Sequence, residues 1–378
     1  MPNEQILITP AVLQWARERA GFSLEEAKNH FKKIESWEAG EAYPTYPQLE
    51  QLSEKFKIPI AVFFFPAPPD IPSVQETFRT LPEAEFAAMP RNLRYLLRKA
   101  KAFQLNLSEL CGGRNPSQNT IIHEFDLDAD TNAIELAQWT RRQIGISLEV
   151  QIAWPDDDSA LKNWRSALLN AGVFVFKDPF KAGNYSGFCL YDDEFPIVYV
   201  NSSSSKTRQI FTLFHELAHL LFHTSGIDTS GDEYIETLGG EAKKIEVLCN
   251  RFAAEFLLPD EQFEREIEGQ VVSEGLAEEI ASKFHISREQ VFRKFLDRGL
   301  IGEAVYREAA VRWTSQMRPG GGGDHYWNKI SYLGRDYINL ALSQFHQNKI
   351  NETQLAEYLD TKPKNVSTLE EYFSRGAA

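Results

Sequence analysis

The alternation of apolar and polar positions reads as helix along most of the chain, with strand-like stretches only between residues 172 and 200. Residues 8 to about 58 read as short helices. Thr9-Pro10 opens one, with proline in the first turn, and Ser23-Leu24-Glu25-Glu26 has the capping-box pattern. Trp37-Glu38-Ala39-Gly40 ends a helix at glycine, and another helix is expected from Gln48 to Phe56. The apolar stretch Ile58 to Phe65 closes in the prolines Pro66, Pro68 and Pro69, which puts a first boundary near residue 70. One long, locally basic helix is expected over residues 77 to 112, stopped by Cys111-Gly112-Gly113. Residues 133 to 170 read as helical, with Trp164, Leu168 and Leu169 on the apolar face.

Strand candidates are Gly172 to Phe176, Gly187 to Tyr191 and Pro196 to Val200, followed by a loop from Asn201 to Ser205. A helix should run from about Lys206 to His223, with further helices near 241–257, 260–267, 272–283 and 287–297. The run Pro319 to Gly323 is a second linker. Beyond it, Tyr326 to Gln347 reads as one helix, and Glu352 to Leu359 with Asn365 to Tyr372 as a compact helical pair. No repeat of fixed period occurs. The expected class is α+β in four parts: 1–70, 71–130, 131–300 and 301–378.

Composition narrows this picture. A 43% apolar share with 26 Phe in 378 residues supplies ample core. There is no 18-residue apolar run, and Met1-Pro2-Asn3-Glu4-Gln5 does not open a signal peptide, so no membrane association is expected. Three cysteines (Cys111, Cys189 and Cys249) without close spacing suit a reducing, cytoplasmic compartment and exclude a zinc ribbon. The net charge of −14 is a poor match to a general nucleic-acid binder, which needs a basic face.

The segment Phe211-Thr212-Leu213-Phe214-His215-Glu216-Leu217-Ala218-His219 carries the candidate chemistry. Residues four apart share a helix face, so His215 and His219 can turn imidazole nitrogens toward one metal ion. Glu216 then stands beside the ion, where a base for a metal-activated water belongs. His223 would lie about 12 Å from His215 by helix rise, too far to share that ion, so it is expected to line the cleft or cap the helix end. The better third ligand is a carboxylate on the next helix. Glu246 opens an amphipathic segment ending at Pro259, and Asn250 on its face is placed to orient a ligand. Asp228, Asp232, Glu233, Glu236 and Glu241 are alternatives that spacing leaves open.

These two motifs, His-Glu-Leu-Ala-His-Leu-Leu-Phe-His and Glu-x-x-Cys-Asn-Arg-Phe-Ala-Ala-Glu-Phe-Leu-Leu-Pro, resemble the ImmA/IrrE family of bacterial metallopeptidases. The resemblance implies a gluzincin-like core over 131–300, zinc (or manganese or iron) on His215, His219 and Glu246, and Glu216 as the base. Cys249 departs from the alanine usual there and reads as a small packed residue. The resemblance further implies an endopeptidase that cleaves one regulatory protein, a repressor or an antitoxin, in stress, phage or mobile-element biology.

Residues 16–69 are similar to the xenobiotic-response-element-type helix-turn-helix module of long members, and Phe78 to Pro82 fits them too. Here, however, Leu24 to Phe31 runs almost directly into Lys32 to Trp37. Seven basic residues face nine acidic ones over 1–68. Docking of a protein partner is therefore at least as well supported as DNA binding. The segment from Thr353 to Val366 reads as a small helical bundle or an oligomerisation element that could form a homodimer, or else as a second helix-turn-helix. The rival to the enzyme is a transcription regulator or antitoxin that keeps the peptidase fold for metal sensing or partner binding. The retained Glu216 favours the enzyme.

Overall fold

The computed structural model describes residues 5–56, 58, 60–69, 89–123, 132–182, 185–229, 238–316 and 323–376. The fold is mixed α+β, mostly helical with one four-stranded sheet. It divides into two compact units, Met1–Lys99 and Ala100–Ala378. Among the described residues no helix is long and apolar enough to cross a membrane.

In the first unit, α1 (Pro10–Arg19), α2 (Leu24–Lys28), α3 (Ile34–Glu38) and α4 (Tyr46–Phe56) enclose Leu13, Ile34, Trp37, Leu49, Leu52 and Phe56. The capping box forms as the residues dictate: Ser23 Oγ accepts from the Glu26 amide (3.2 Å) while Glu26 accepts from the Ser23 amide (2.9 Å). Buried Arg17 donates to both oxygens of Glu38 (2.7 and 3.0 Å) and so ties α1 to α3. The expected boundary near 70 and Phe78 to Pro82 lie outside the described residues.

The helix expected from 77 to 112 is α5 (Arg91–Leu110). Met89 and Pro90 are not helical, because proline disfavours helical geometry in the residue before it; residues 77–88 lie outside the described set. At the far end the chain turns at Gly112, where φ is +65°.

In the second unit, α6 (Ala133–Ile144), α7 (Leu148–Ile152) and α8 (Asp157–Asn170) replace the single helical stretch expected. Gly145 (φ +72°) ends the first, and Asn132, Ser147 and Asp156 cap the three amino ends. Strands β1 (Phe174–Asp178), β2 (Tyr185–Leu190), β3 (Ile197–Asn201) and β4 (Ile227–Thr229) lie in the order β1-β3-β2-β4. β3 runs parallel to β1 with Val175 opposite Val198, and antiparallel to β2 with Phe188 opposite Tyr199. The short β4 was not anticipated; three residues are too few to show a period.

Across the sheet lies α9 (Lys206–Leu221), flanked by α8 and by α10 (Gly240–Leu257), which α6 covers in turn. Their shared core centres on Trp164, whose ring meets Phe214 at 4.9 Å and Phe256 at 5.4 Å, with Phe214 and Phe256 stacked at 4.0 Å. Each such aromatic, fully buried, contributes about 1.5–3 kcal/mol. The helices α11 (Asp260–Ile267), α12 (Glu274–Phe284) and α13 (Arg288–Asp297) follow as expected. After them comes α14 (Glu303–Gln316), which the apolar pattern did not announce because Ala309 and Trp313 alone among its described side chains are buried.

Most of the expected linker, residues 319–322, lies outside the described set. The single helix expected from Tyr326 to Gln347 is two, α15 (His325–Leu333) and α16 (Arg335–His346). Gly334 breaks it at φ +87°, a geometry that costs other residues strain. α17 (Glu352–Tyr358) and α18 (Val366–Arg375) complete the chain. Tyr337 of α16 packs on Phe176 of β1 (5.1 Å), seating these last helices on the sheet's outer edge.

Candidate metal centre

Helix α9 starts where Ser205 Oγ accepts from the Arg208 amide (3.2 Å), and every residue from Gln209 to Leu221 is buried. A helix packed on all sides has little freedom to rotate, so the face carrying His215 and His219 is set by the packing of Phe214 against Trp164 and Phe256. Both imidazoles are buried, and their Nε2 atoms stand 3.2 Å apart. From α10, Glu246 closes the triangle: its Oε2 lies 3.4 Å from His215 Nε2 and its Oε1 3.2 Å from His219 Nε2.

Two nitrogens bound at 2.0–2.1 Å to one tetrahedral ion would stand about 3.3 Å apart, so the spacing suits a zinc-sized ion. Only one proton fits between two facing imidazole nitrogens, and without a cation these three donors would be poorly satisfied. Asn250 strengthens the fit. Its side-chain carbonyl can only accept, so the 3.0 Å contact with His215 Nδ1 fixes the proton there and leaves the Nε2 lone pair free. Burial pushes the Glu246 carboxyl up, but His219 and His215 outweigh it and hold it well below the usual carboxylate range. At His215 burial disfavours the cation, yet Asp228 and Glu246 prevail and raise its pKa. The surroundings are electronegative, as a cation site requires.

Glu216 is completely buried one residue after the first histidine. Its Oε1 accepts from the Asp228 backbone amide of β4 (3.1 Å), while Oε2 has no hydrogen-bond partner among the described residues. Burial, partly offset by His219 and His215, pushes its carboxyl up to about 7. A carboxyl poised near neutrality with one free oxygen can accept and return a proton.

Asp228, one of the alternative ligands, is engaged elsewhere. It binds Arg208 Nη2 through both oxygens (3.1 and 3.2 Å) and accepts from Thr212 Oγ1 (3.1 Å). Asp232, Glu233 and Glu236 lie outside the described residues, as does the side chain of Glu241.

Two glycines that the sequence reading passed over shape the site. A Cβ on Gly226 would come within 2.7 Å of the His219 ring, and one on Gly187 within 2.3 Å of Thr212 Cγ2. Their only sequence signal is glycine at or beside a strand, which marks close approach of backbone. His223 does not join the cluster. It follows the helix end at φ +54°, and its Nε2–H donates to the Ile122 carbonyl (2.9 Å), so it fastens the loop rather than lining the site. Cys249 is buried beside His219, and burial raises its pKa, which suits a packed thiol.

Residues 169–295 match the family model described as Peptidase_M78, IrrE N-terminal-like domain. No curated protein sequence matches the chain. The matched span runs from the end of α8 to α13 and contains His215, Glu216, His219, Glu246 and Asn250. The match supports a metallopeptidase of the IrrE/ImmA type.

Proposed function

We propose that the chain is a zinc-dependent endopeptidase that cleaves a specific regulatory protein, a repressor or an antitoxin. The observation that carries this reading is the unpartnered, buried Oε2 of Glu216 beside the cluster of His215, His219 and Glu246. A zinc ion held by those three residues would polarise the scissile carbonyl and lower the pKa of its water to about 7. Glu216 takes the proton from the attacking water and hands it to the leaving amine. Asp228 holds Glu216 through its amide, and Asn250 holds the ring of His215.

An extended substrate needs a free sheet edge. The strand candidate Pro196 to Val200 cannot supply it, because it forms β3 (Ile197–Asn201), which β1 and β2 pair on both sides. We assign the role to β4, which carries the Asp228 amide and pairs only with β2 among the described strands.

The test measures bound metal in wild type and Glu246→Ala, with cleavage of a co-expressed candidate repressor by wild type and Glu216→Gln. One metal per chain, lost in Glu246→Ala, with cleavage abolished in Glu216→Gln, is the expected result. Cleavage indifferent to Glu216 would sink the reading and leave a regulator on a peptidase scaffold.

A further inference from the structure

Away from the metal centre, α8, β1, the first turn of α9 and the α15–α16 corner surround a cavity of about 600 Å³, well within the range of small-molecule sites. Its walls carry Lys162, Arg165, Lys177, Lys206 and Arg335, facing only Asp158 and Asp336. This is a cationic hollow in a chain of charge −14.

Most of these charges have structural duties. Lys206 pairs with Asp158 (2.5 Å), Arg165 donates to the carbonyls of Ser331 (2.7 Å) and Val175 (2.8 Å), and Arg335 donates to that of Phe373 (2.8 Å). Lys177 is different. It sits on β1, is 5% exposed, and its side chain makes no hydrogen bond or ion pair among the described residues. Burial, reinforced by Arg165 and Lys206 and only partly countered by Asp158, lowers its pKa to about 7. A buried, unpartnered ammonium is costly, and a well-packed apolar residue would serve the fold better. Lys162, on the exposed rim, likewise has no side-chain partner among the described residues.

The amino end of α16 opens into the same cavity. Gly334 stands at its cap position and offers no side chain to the first-turn amides. A Cβ there would meet Arg165 Nη2 at 3.0 Å. Uncapped amides at the amino end of a twelve-residue helix attract anions. Phe174, Trp327 and Leu333 give the cavity an apolar wall as well.

We propose that this cavity binds a small phosphate-bearing ligand, its phosphate held by Lys177, Lys162 and the amino end of α16, its body against Phe174, Trp327 and Leu333. A ligand so placed would also lie against the first turn of the helix that carries His215, since Lys206 lines the cavity.

Titration calorimetry on the full chain with adenosine monophosphate, inorganic phosphate and adenosine tests this. Saturable binding of the monophosphate or of phosphate, and none of adenosine, is expected. Lys177→Met should weaken binding about 10- to 100-fold, the worth of a hydrogen bond to a charged group. Without ligand, the same variant should melt higher than wild type, whereas a lysine retained for the fold would make it melt lower. Lys162→Ala, at the exposed rim, gives a second and smaller loss that does not depend on core packing. Binding in Glu246→Ala should equal wild type, which separates the cavity from phosphate capture at the metal centre. Absence of saturable binding, adenosine binding as tightly as its monophosphate, affinity unchanged by Lys177→Met, or binding lost in Glu246→Ala would each overturn the proposal.

Discussion

A lone pair aimed at a metal ion is only as well placed as the ring that carries it. His215 is steered by one hydrogen bond, from Nδ1 to Asn250. Asn250→Ala should leave the fold intact and weaken metal affinity about 10- to 100-fold, read by competition with a chromogenic chelator. His219 is steered by crowding, since Gly226 lies flat against its ring. Gly226→Ala should therefore also weaken metal binding, but with a lower melting temperature, because the added methyl forces a shift costing about 1–3 kcal/mol. A Gly226→Ala chain with wild-type melting and metal affinity would refute that account. These two controls differ in how readable they were. His215, Glu216, His219, Glu246 and Asn250 sit at helical spacings, so local geometry shows which share a face. Gly226 and Asp228 reach the site only because the chain reverses after α9 and returns along β2 as β4, and nothing in their neighbours announces that return.

At the scale of elements, the helix ends decide how the metal helices are braced. Gln151 of α7 is wholly buried and donates through Nε2 to the carbonyls of Leu257 (2.9 Å) and Phe284 (2.8 Å), the terminal residues of α10 and α12. Arg141 of α6 donates to its Oε1 (2.9 Å). Orphan carbonyls at two helix ends and a half-buried guanidinium thus share one amide. Gln151→Ala should cost about 2–4 kcal/mol through buried groups left unpaired. It should lower the melting temperature by several degrees in calorimetry while metal content at 25 °C stays at the wild-type value. Unchanged melting would mean that water replaces the amide at little cost. The apolar period located most of these helices, including α9 to α13. It failed at breaks set by single residues: Pro90, which ends the helical reading of 77–112, and Gly334, whose apolar neighbours on both sides carry one period straight through a left-handed turn. It also could not say which strand is an edge. β3, central, is apolar at four of its five positions and β1, at the margin, at three of five, a difference of one residue that is too small to tell them apart.

For the molecule as a whole, the sum of charges hides how they are distributed. A chain at −14 holds a cavity rich in lysine and arginine, and neither its wall nor its ligand could be read from residue spacing, because Lys177, Arg165 and Gly334 come from three separate parts of the fold. The consequence is a stability that depends on pH in a defined direction. Lys177 titrates at the ordinary lysine pKa of 10.5 when unfolded and at about 7 when folded. Between those values the unfolded chain holds the extra proton, so stability falls as pH falls from 10.5 toward 7, and below 7 the penalty is constant. Facing Lys177 are Arg165 and Asp158 from α8 and Lys206 from α9; the two cations deepen the shift and the carboxylate moderates it. Melting temperatures of wild type and Lys177→Met, measured without phosphate from pH 6 to pH 10, should differ most at the acid end and converge toward the alkaline end. Other titrating groups are common to both chains and cancel in that difference. A gap that stays constant across the range would mean that Lys177 keeps an ordinary pKa in the folded chain, and a gap that widens with pH would mean that the ammonium is stabilised by a partner. Adding phosphate should narrow the gap below pH 7, where a bound anion compensates the charge that the fold leaves unpaired.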